Sequence, residues 1–315
     1  GLIGLGANAK AASIAGDLVV QNARVRAIGE DAGGFRPISE KDLFDCEYWS
    51  LEQAKLGKGA PPKFQGKIVM ITGGSGTIGF AIAEAFSKLG AQTILVDKDE
   101  IALKEAVTKL GVGHKYFPID VTHSDAANQA MLAAINNFGG LDILISNAGA
   151  AHAGPMLDIS NEELRNAFEL NFFSHYSFST EAAKILKDQN RGGQILFNIS
   201  KQAVNPGKNF GAYGLPKATT FFLMRQLALE LGSDGIRVNG INADRIRSGL
   251  LTDDFISSRA KSRGVSESEY MAGNLLNKEV TAEHVADAFT ALACAESTTG
   301  HVMTVDGGNI EASLR

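Results

Sequence analysis

The chain is poor in cysteine, has a single tryptophan and lacks any long apolar run or surplus of positive charge. Its two cysteines, Cys46 and Cys294, stand far apart. That excludes a disulfide framework and makes a reducing compartment the default expectation. The six histidines are scattered, with no helical pair or acidic neighbour in ligand spacing, so no metal is expected. No uninterrupted apolar stretch approaches the ~18 residues of a membrane helix, and no membrane partner is expected. A formal charge of −5 and an isoelectric point near 5.7 argue against nucleic acid or acidic lipid as a partner. The same balance disfavours an acidic carrier protein unless one local patch is basic. No charged-then-apolar leader opens the chain, so a cytoplasmic location is expected; a start at Gly1 rather than Met reads as a trimmed or excised chain.

What is present suits a globular protein. Of 315 residues, 44% are hydrophobic and 21% charged, with a mean hydropathy of −0.01. Thirty-five glycines gather at turns. The pattern breaks near residue 60. Before it, Ala11, Ile14, Leu18, Val25 and Ile28 mark one face of a helix. A short helix is expected over Tyr48–Ala54, then a linker carrying Gly57, Gly59, Pro61 and Pro62. A lone helix with an apolar stripe needs something to pack on. It is either an arm on the rest of the chain or the tail of another domain. Two segments are therefore expected: residues 1–62, a helical N-terminal extension with its linker, and 63–315, the main domain.

After Lys67 short apolar runs alternate with longer helical ones. Strands are expected over 67–72, 92–96, 114–118, 141–146, 194–199, 236–241 and 301–305. Helices are expected over 77–89, 99–110, 124–138, 160–188, 212–232 and 281–295. This rhythm predicts an α/β fold, a doubly wound parallel sheet of about seven strands with helices on both faces. The polar segment 249–278 breaks periodicity and reads as a candidate mobile lid.

The run Thr72-Gly73-Gly74-Ser75-Gly76-Thr77-Ile78-Gly79 follows the first strand and opens a helix. Small residues let the backbone approach a pyrophosphate, and the helix N-terminus offers unpaired N–H groups. Asp97 ends the second strand eighteen residues beyond Gly79. Its carboxylate can accept from ribose hydroxyls and repel a 2′-phosphate, which favours NAD over NADP. The alternative is a tight turn and a surface aspartate. Asp120 and Val121 are candidates for the adenine edge, or Asp120 for a helix cap near Ser124. Asn147, Ala148 and Gly149 end the fourth strand, where small residues let the backbone run along a cofactor, or where the chain simply turns.

Tyr213 and Lys217 lie four apart, on one helix face. A phenol of pKa ~10 is a poor neutral-pH catalyst. A nearby ammonium and a nicotinamide's positive charge are expected to lower it, so that Tyr213 serves as acid/base. Pro216 places the helix start near Tyr213. Ser200, thirteen residues earlier, can polarise a substrate oxygen or be a turn serine. Asn171 sits within a long helical pattern. Its amide can kink that helix and hold a water beside Lys217, or be a satisfied buried amide. Arg245 and Arg247, two apart in an extended segment, would point to one side. They could bind an anionic substrate or the pyrophosphate, or pair with Asp244, Asp253 or Asp254.

Together Thr72–Gly79, Asn147–Gly149, Asn171, Ser200, Tyr213 and Lys217 resemble, in order, the motifs of the short-chain dehydrogenase/reductase family over roughly 65–310. The resemblance implies a Rossmann-like fold and NAD(P) redox chemistry. Tyr213 would be acid/base, Lys217 would bind ribose and tune Tyr213, Ser200 would orient substrate, and Asn171 would support a proton relay. Three departures stand out. Thr77 takes the place of the middle glycine, Lys201 stands where many members have a second serine, and Asn242–Arg247 replaces a Pro-Gly loop. The stretches Tyr48–Lys55, Ser200–Lys217 and Ala243–Leu250 resemble the C-terminal half of bifunctional rhamnulose-1-phosphate aldolase/short-chain dehydrogenases. That implies an aldolase tail over 1–60, fusion to an aldolase domain, and oxidation of lactaldehyde or a related hydroxy-aldehyde, ketone or sugar in rhamnose breakdown. Two other readings stay open: a 3-oxoacyl thioester reductase, and a non-catalytic NAD-binding module of a fusion. Excess apolar surface on 212–232 points to a homo-oligomer, a dimer or tetramer.

Overall fold

The structure is a computed structural model that describes residues 3–49, 60–151 and 153–309. The chain divides into two compact units, residues 1–66 and 67–315.

In the first unit, helix α1 (Ala9–Asp31) starts where Asn8 accepts the Ala11 N–H at 2.9 Å. Its apolar stripe stands exposed: Leu18 is 60% and Ile28 67% accessible. Helix α2 (Glu40–Glu47) is capped by Ser39. Helix α2 ends before Tyr48, and the helix expected over Tyr48–Ala54 falls for the most part outside the described residues. Residues 50–54 lie outside the described residues.

In the second unit, strand β1 (Ile68–Thr72) leads to α3 (Thr77–Lys88), β2 (Gln92–Asp97), α4 (Glu100–Leu110), β3 (Lys115–Pro118), α5 (Ala126–Phe138) and β4 (Ile143–Ser146). Then come α6 (Asn161–Phe168), a π-helical turn (Glu169–Phe173), α7 (Ser174–Gln189), β5 (Gly193–Asn198), α8 (Gly211–Leu231) and β6 (Ile236–Ala243). The last elements are α9 (Asp253–Arg263), α10 (Glu267–Met271), α11 (Ala282–Cys294) and β7 (Val302–Val305). All seven strands are parallel, in the order β3-β2-β1-β4-β5-β6-β7. Every residue of β1 and β4 is buried, as continuous apolar runs covered on both faces must be. Helices α5, α7 and α8 pack on one face, while α3 and α11 pack together on the other. Chain order reverses between β1 and β4, and the carboxyl ends of those strands open a crevice there.

Three expectations need correction. The helix over 160–188 is broken by the π turn at Asn171. The segment 249–278, which shows no periodicity in sequence, nevertheless forms α9 and α10, which share a small core of Leu251, Ile256, Ala260, Tyr270 and Met271. Thr252 caps α9, and Ser266 with Glu269 forms a capping box on α10. Helix α8 begins at Gly211, so Pro216 lies beyond the first turn. Phe210 O accepts both Tyr213 N–H and Gly214 N–H at the start, and Pro216 has no N–H to give Ala212 O.

Candidate active site

A cleft of about 800 Å³ runs along the carboxyl ends of the strands. It is lined by Gly73, Gly76, Thr77, Ile78, Gly79, Asp97, Asp120, Val121, Asn147, Ala148, Gly149, Ser200, Tyr213, Lys217 and Arg245. Of the sequence-derived candidates, Ser75, Asn171 and Arg247 do not line it.

At one end, Gly73 turns the chain with φ +64°, and a Cβ there would stand 3.0 Å from Ala148 Cα. A Cβ on Gly79 would clash with Gly73 O, so helix α3 lies against the loop it grows from. A Cβ on Gly76 would meet only Gly73 O, at an ordinary 3.4 Å, and its φ of −72° suits any residue, so neither the chain's own packing nor its backbone requires glycine here. The displaced glycine pattern therefore leaves the two sterically required positions filled. Gly76 caps α3 without a side-chain hydrogen bond, leaving first-turn N–H groups of a twelve-residue helix facing the cleft. Asp97 Oδ2 accepts Ser75 N–H at 3.3 Å and Oδ1 accepts Lys98 N–H at 2.8 Å. The strand-end acid therefore also holds the loop. Asp120 Oδ1 accepts from Thr122 N–H and hydroxyl at 3.0 and 2.7 Å, and these bonds hold its carboxyl below the usual range. No cap near Ser124 involves Asp120; helix α5 starts after Asp125 instead.

At the switch point Thr72 Oγ1 accepts the N–H groups of Asn147 and Ala148 at 2.9 and 3.1 Å. Asn147 donates to Thr72 O and accepts from Asn198 at 2.8 Å. A Cβ on Gly149 would meet Asn171 Oδ1 at 2.8 Å. These uncovered backbones, the capless helix end and the acid at β2 fit a nicotinamide dinucleotide. Gly73–Gly79 would hold its pyrophosphate, Asp97 and Asp120 its adenosine, and Asn147–Gly149 its reactive half.

The Asn171 amide is held by backbone groups on both sides. Its Oδ1 accepts Ala150 N–H at 3.2 Å, and its Nδ2 donates to Ala150 O and Ala167 O at 2.9 and 3.1 Å. Asn171 O accepts the Thr220 hydroxyl at 2.7 Å. Asn171 thus opens the helix into a π turn and ties the end of β4 to α8.

Burial pushes Tyr213 up to about 12, and a Ser200 hydrogen bond pulls the other way. Burial takes Lys217 down to about 7. The expected lowering of the phenol by the ammonium is therefore overridden by desolvation among the chain's own groups. Lys217 Nζ lies 5.9 Å from the Tyr213 ring centroid, so the two share a face. Lys217 Nζ donates to Asn198 O at 3.0 Å and lies 3.4 Å from His175 Nε2. His175 Nδ1 is 2.6 Å from Ser146 Oγ, and burial keeps this imidazole neutral. His175 was not anticipated, although it stands one turn after Asn171 in the sequence.

Two departures meet in one contact: Lys201 Nζ and Asp244 Oδ1 are 2.6 Å apart. Asp244 also accepts from Asn309 at 2.7 Å. Arg245 and Arg247 do not point to one side. Arg245 has φ +50°, which turns the chain between them. Arg245 donates to Tyr270 O and stacks over the Tyr270 ring at 5.0 Å. Arg247 turns away to Glu279 and Asp253, each at 2.7 Å.

Comparison with known proteins agrees with this geometry. The family described as enoyl-(acyl carrier protein) reductase matches residues 74–309. The chain belongs to the short-chain dehydrogenase/reductase family. It is therefore an NAD(P)-dependent oxidoreductase. The second domain of class II aldolases matches residues 1–56, which fits the likeness to bifunctional aldolase/dehydrogenases. An uncharacterized oxidoreductase of Bacillus subtilis (strain 168), YuxG, is 32% identical over 98% of this chain. The chain covers 47% of that relative, about half its length. L-Sorbose reductase from Gluconobacter frateurii, solved with NADPH and L-sorbose, is 28% identical with a TM-score of 0.72, covering 79% of this chain and 98% of the other. The 3-ketoacyl-(acyl-carrier-protein) reductase of Brucella melitensis, solved with NADH, is 25% identical with a TM-score of 0.69, covering 77% and 98%. Among the described residues no helix is long and apolar enough to cross a membrane, and no cluster of His, Cys, Asp or Glu could hold a metal ion.

Proposed function

We propose that the chain is an NAD-dependent dehydrogenase moving a hydride between nicotinamide and a small hydroxy-aldehyde, ketone or sugar-derived compound. The observation that carries this reading is the Ser200–Tyr213–Lys217 group in a cleft shared with the glycine loop. Bound nicotinamide supplies the hydride acceptor, and its positive charge opposes the burial that raises Tyr213. Ser200 and Tyr213 hold the reacting oxygen between their hydroxyls. Tyr213 takes its proton as the carbon is oxidised, and Lys217 stabilises the phenolate. An aldehyde hydrate has the same O–H and C–H to give and leaves as a carboxylic acid. The aldolase-like segment at 1–56 supports lactaldehyde as one such substrate. Asp97 supports NAD over NADP.

On this reading residues 1–62 are the helical extension and linker of a cytoplasmic protein, and 63–315 the catalytic domain. Phe222 and Leu229 on α8, 67% and 80% exposed, support assembly into a homo-oligomer. Thioester reduction is the second reading, favoured by Lys201, Lys208, Arg245, Arg259 and Arg263 in the cleft lining, the local basic patch that an acidic carrier would need. Tyr213→Phe is expected to cut turnover by ~10²–10⁴ while NAD binding by calorimetry is kept. Unchanged turnover across a panel of hydroxy-aldehydes, polyols, sugars and acyl thioesters rejects the assignment.

A further inference from the structure

The protein carries net negative charge, yet the substrate end of its cleft is lined by Lys201, Lys208, Arg245, Arg259 and Arg263 against one carboxylate, Asp244. Asp244 is committed: it is buried, pairs with Lys201 and accepts from Asn309. Arg245 Nε stands 3.5 Å from it without hydrogen-bond geometry. Among the described residues, no carboxylate pairs with Arg259, Arg263 or Lys208. Aromatic faces hold the arginines instead. Arg259 lies 5.6 Å over Phe210 and 5.8 Å over Phe255, rings that themselves meet edge to face. Arg245 and Arg263 lie 5.0 and 5.1 Å over Tyr270.

The distinction matters chemically. A carboxylate partner uses up the donor edge of a guanidinium, whereas a ring beneath it fixes the plane and leaves that edge free. Arg259 Nε is buried without any partner, a cost that a ligand's oxygen would remove. Helix α9, which presents Arg259 and Arg263, is anchored by the small core with Tyr270 and Met271. The two guanidiniums therefore sit on a built element.

We propose that this end of the cleft binds an anionic group, a carboxylate or a phosphate, carried by the substrate away from its reacting carbon. This rests on the redox reading above and narrows it: a phosphorylated sugar or a hydroxy acid fits better than a neutral polyol.

Three measurements on the full chain test it. The first is calorimetric binding of inorganic phosphate and of malonate, which needs no turnover and separates phosphate from carboxylate. Arg259→Gln is expected to weaken the preferred anion by about tenfold to a hundredfold, the worth of a charged hydrogen bond. Lys109→Gln, a lysine over Phe80 outside the cleft, serves as the control and is expected to bind as the parent does. The second is the ratio of kcat/KM for glyceraldehyde 3-phosphate, and for glycerate, over that for glyceraldehyde. The ratio is expected to exceed one for the preferred anion and to fall in Arg259→Gln mainly through KM. The third repeats the anion titration on Arg263→Gln, an exposed position that keeps the test alive should Arg259→Gln unfold. Its expected weakening is severalfold. Turnover of glyceraldehyde with no anion binding and a ratio at or below one overturns the proposal and leaves the redox reading standing. Anion binding weakened by both arginine variants, with no turnover of any compound, supports the anion site and overturns the redox reading.

Discussion

At the dinucleotide end the lining is mostly backbone. Gly73, Gly76 and Gly149 bring the main chain to the surface, and one helix end leaves its N–H groups unused. At the substrate end the lining is long cationic side chains laid on rings, raised by α9 and α10. The difference teaches how each half can change. A backbone cradle tolerates no added atom where main chain stands close behind a glycine, as at Gly73 and Gly79. A side-chain platform can be re-cut one residue at a time without moving the sheet.

The largest break in that comparison is Gly79→Ala. Its new Cβ would meet Gly73 O, and backbone cannot swing aside as a side chain does. We expect dinucleotide affinity to fall by more than about tenfold, read by calorimetry, with a loss of stability of about 1–3 kcal/mol in denaturant melts. Gly76→Ala is expected to change affinity by less than about twofold, because its Cβ would meet only Gly73 O at an ordinary contact distance and its φ is ordinary. Equal losses in both variants would mean that the loop, not the two contact points, sets the cradle.

A middle-sized effect is expected from Asp97→Ala. It removes the carboxylate facing a 2′-phosphate and also the acceptor of Ser75 N–H. The ratio of kcat/KM for NAD over NADP should fall about tenfold, with some loss for both cofactors because the loop is loosened. A parent chain that already prefers NADP would overturn the reading of Asp97.

Much of this was legible in the sequence, and the rest was hidden for physical reasons. Strand–helix alternation and the glycine run report local preferences, which short segments carry by themselves. Asn171 was legible as a helix disturbance, but its hydrogen bonds to Ala150 and Ala167 depend on where β4 ends. The Lys201–Asp244 contact joins residues 43 apart, and no periodicity encodes it. Helices α9 and α10 carried readable caps, Thr252 and the Ser266/Glu269 box, yet their polar faces masked them. Their core is only a few residues wide. For the Tyr213 phenol, spacing shows a neighbouring charge but not the burial that pushes the other way.

The smallest expected effect sharpens the comparison most. Arg247 and Arg245 look equivalent in sequence, yet φ +50° at Arg245 sends their side chains apart. Arg247 reaches Asp253 and Glu279, and its own side chain is 41% accessible. Exposed pairs of this kind contribute about 0–1 kcal/mol, less in salt. Arg247→Gln should therefore lower the melting midpoint slightly and leave kcat/KM for anionic substrates within about twofold of the parent. Arg259 has no carboxylate to lose, so the same substitution there should spare stability more than it spares anion binding. If Arg247→Gln lowered anion affinity as much as Arg259→Gln, net charge near the cleft would be the cause. Stacked arginines with free donor edges would then have no special part in recognition.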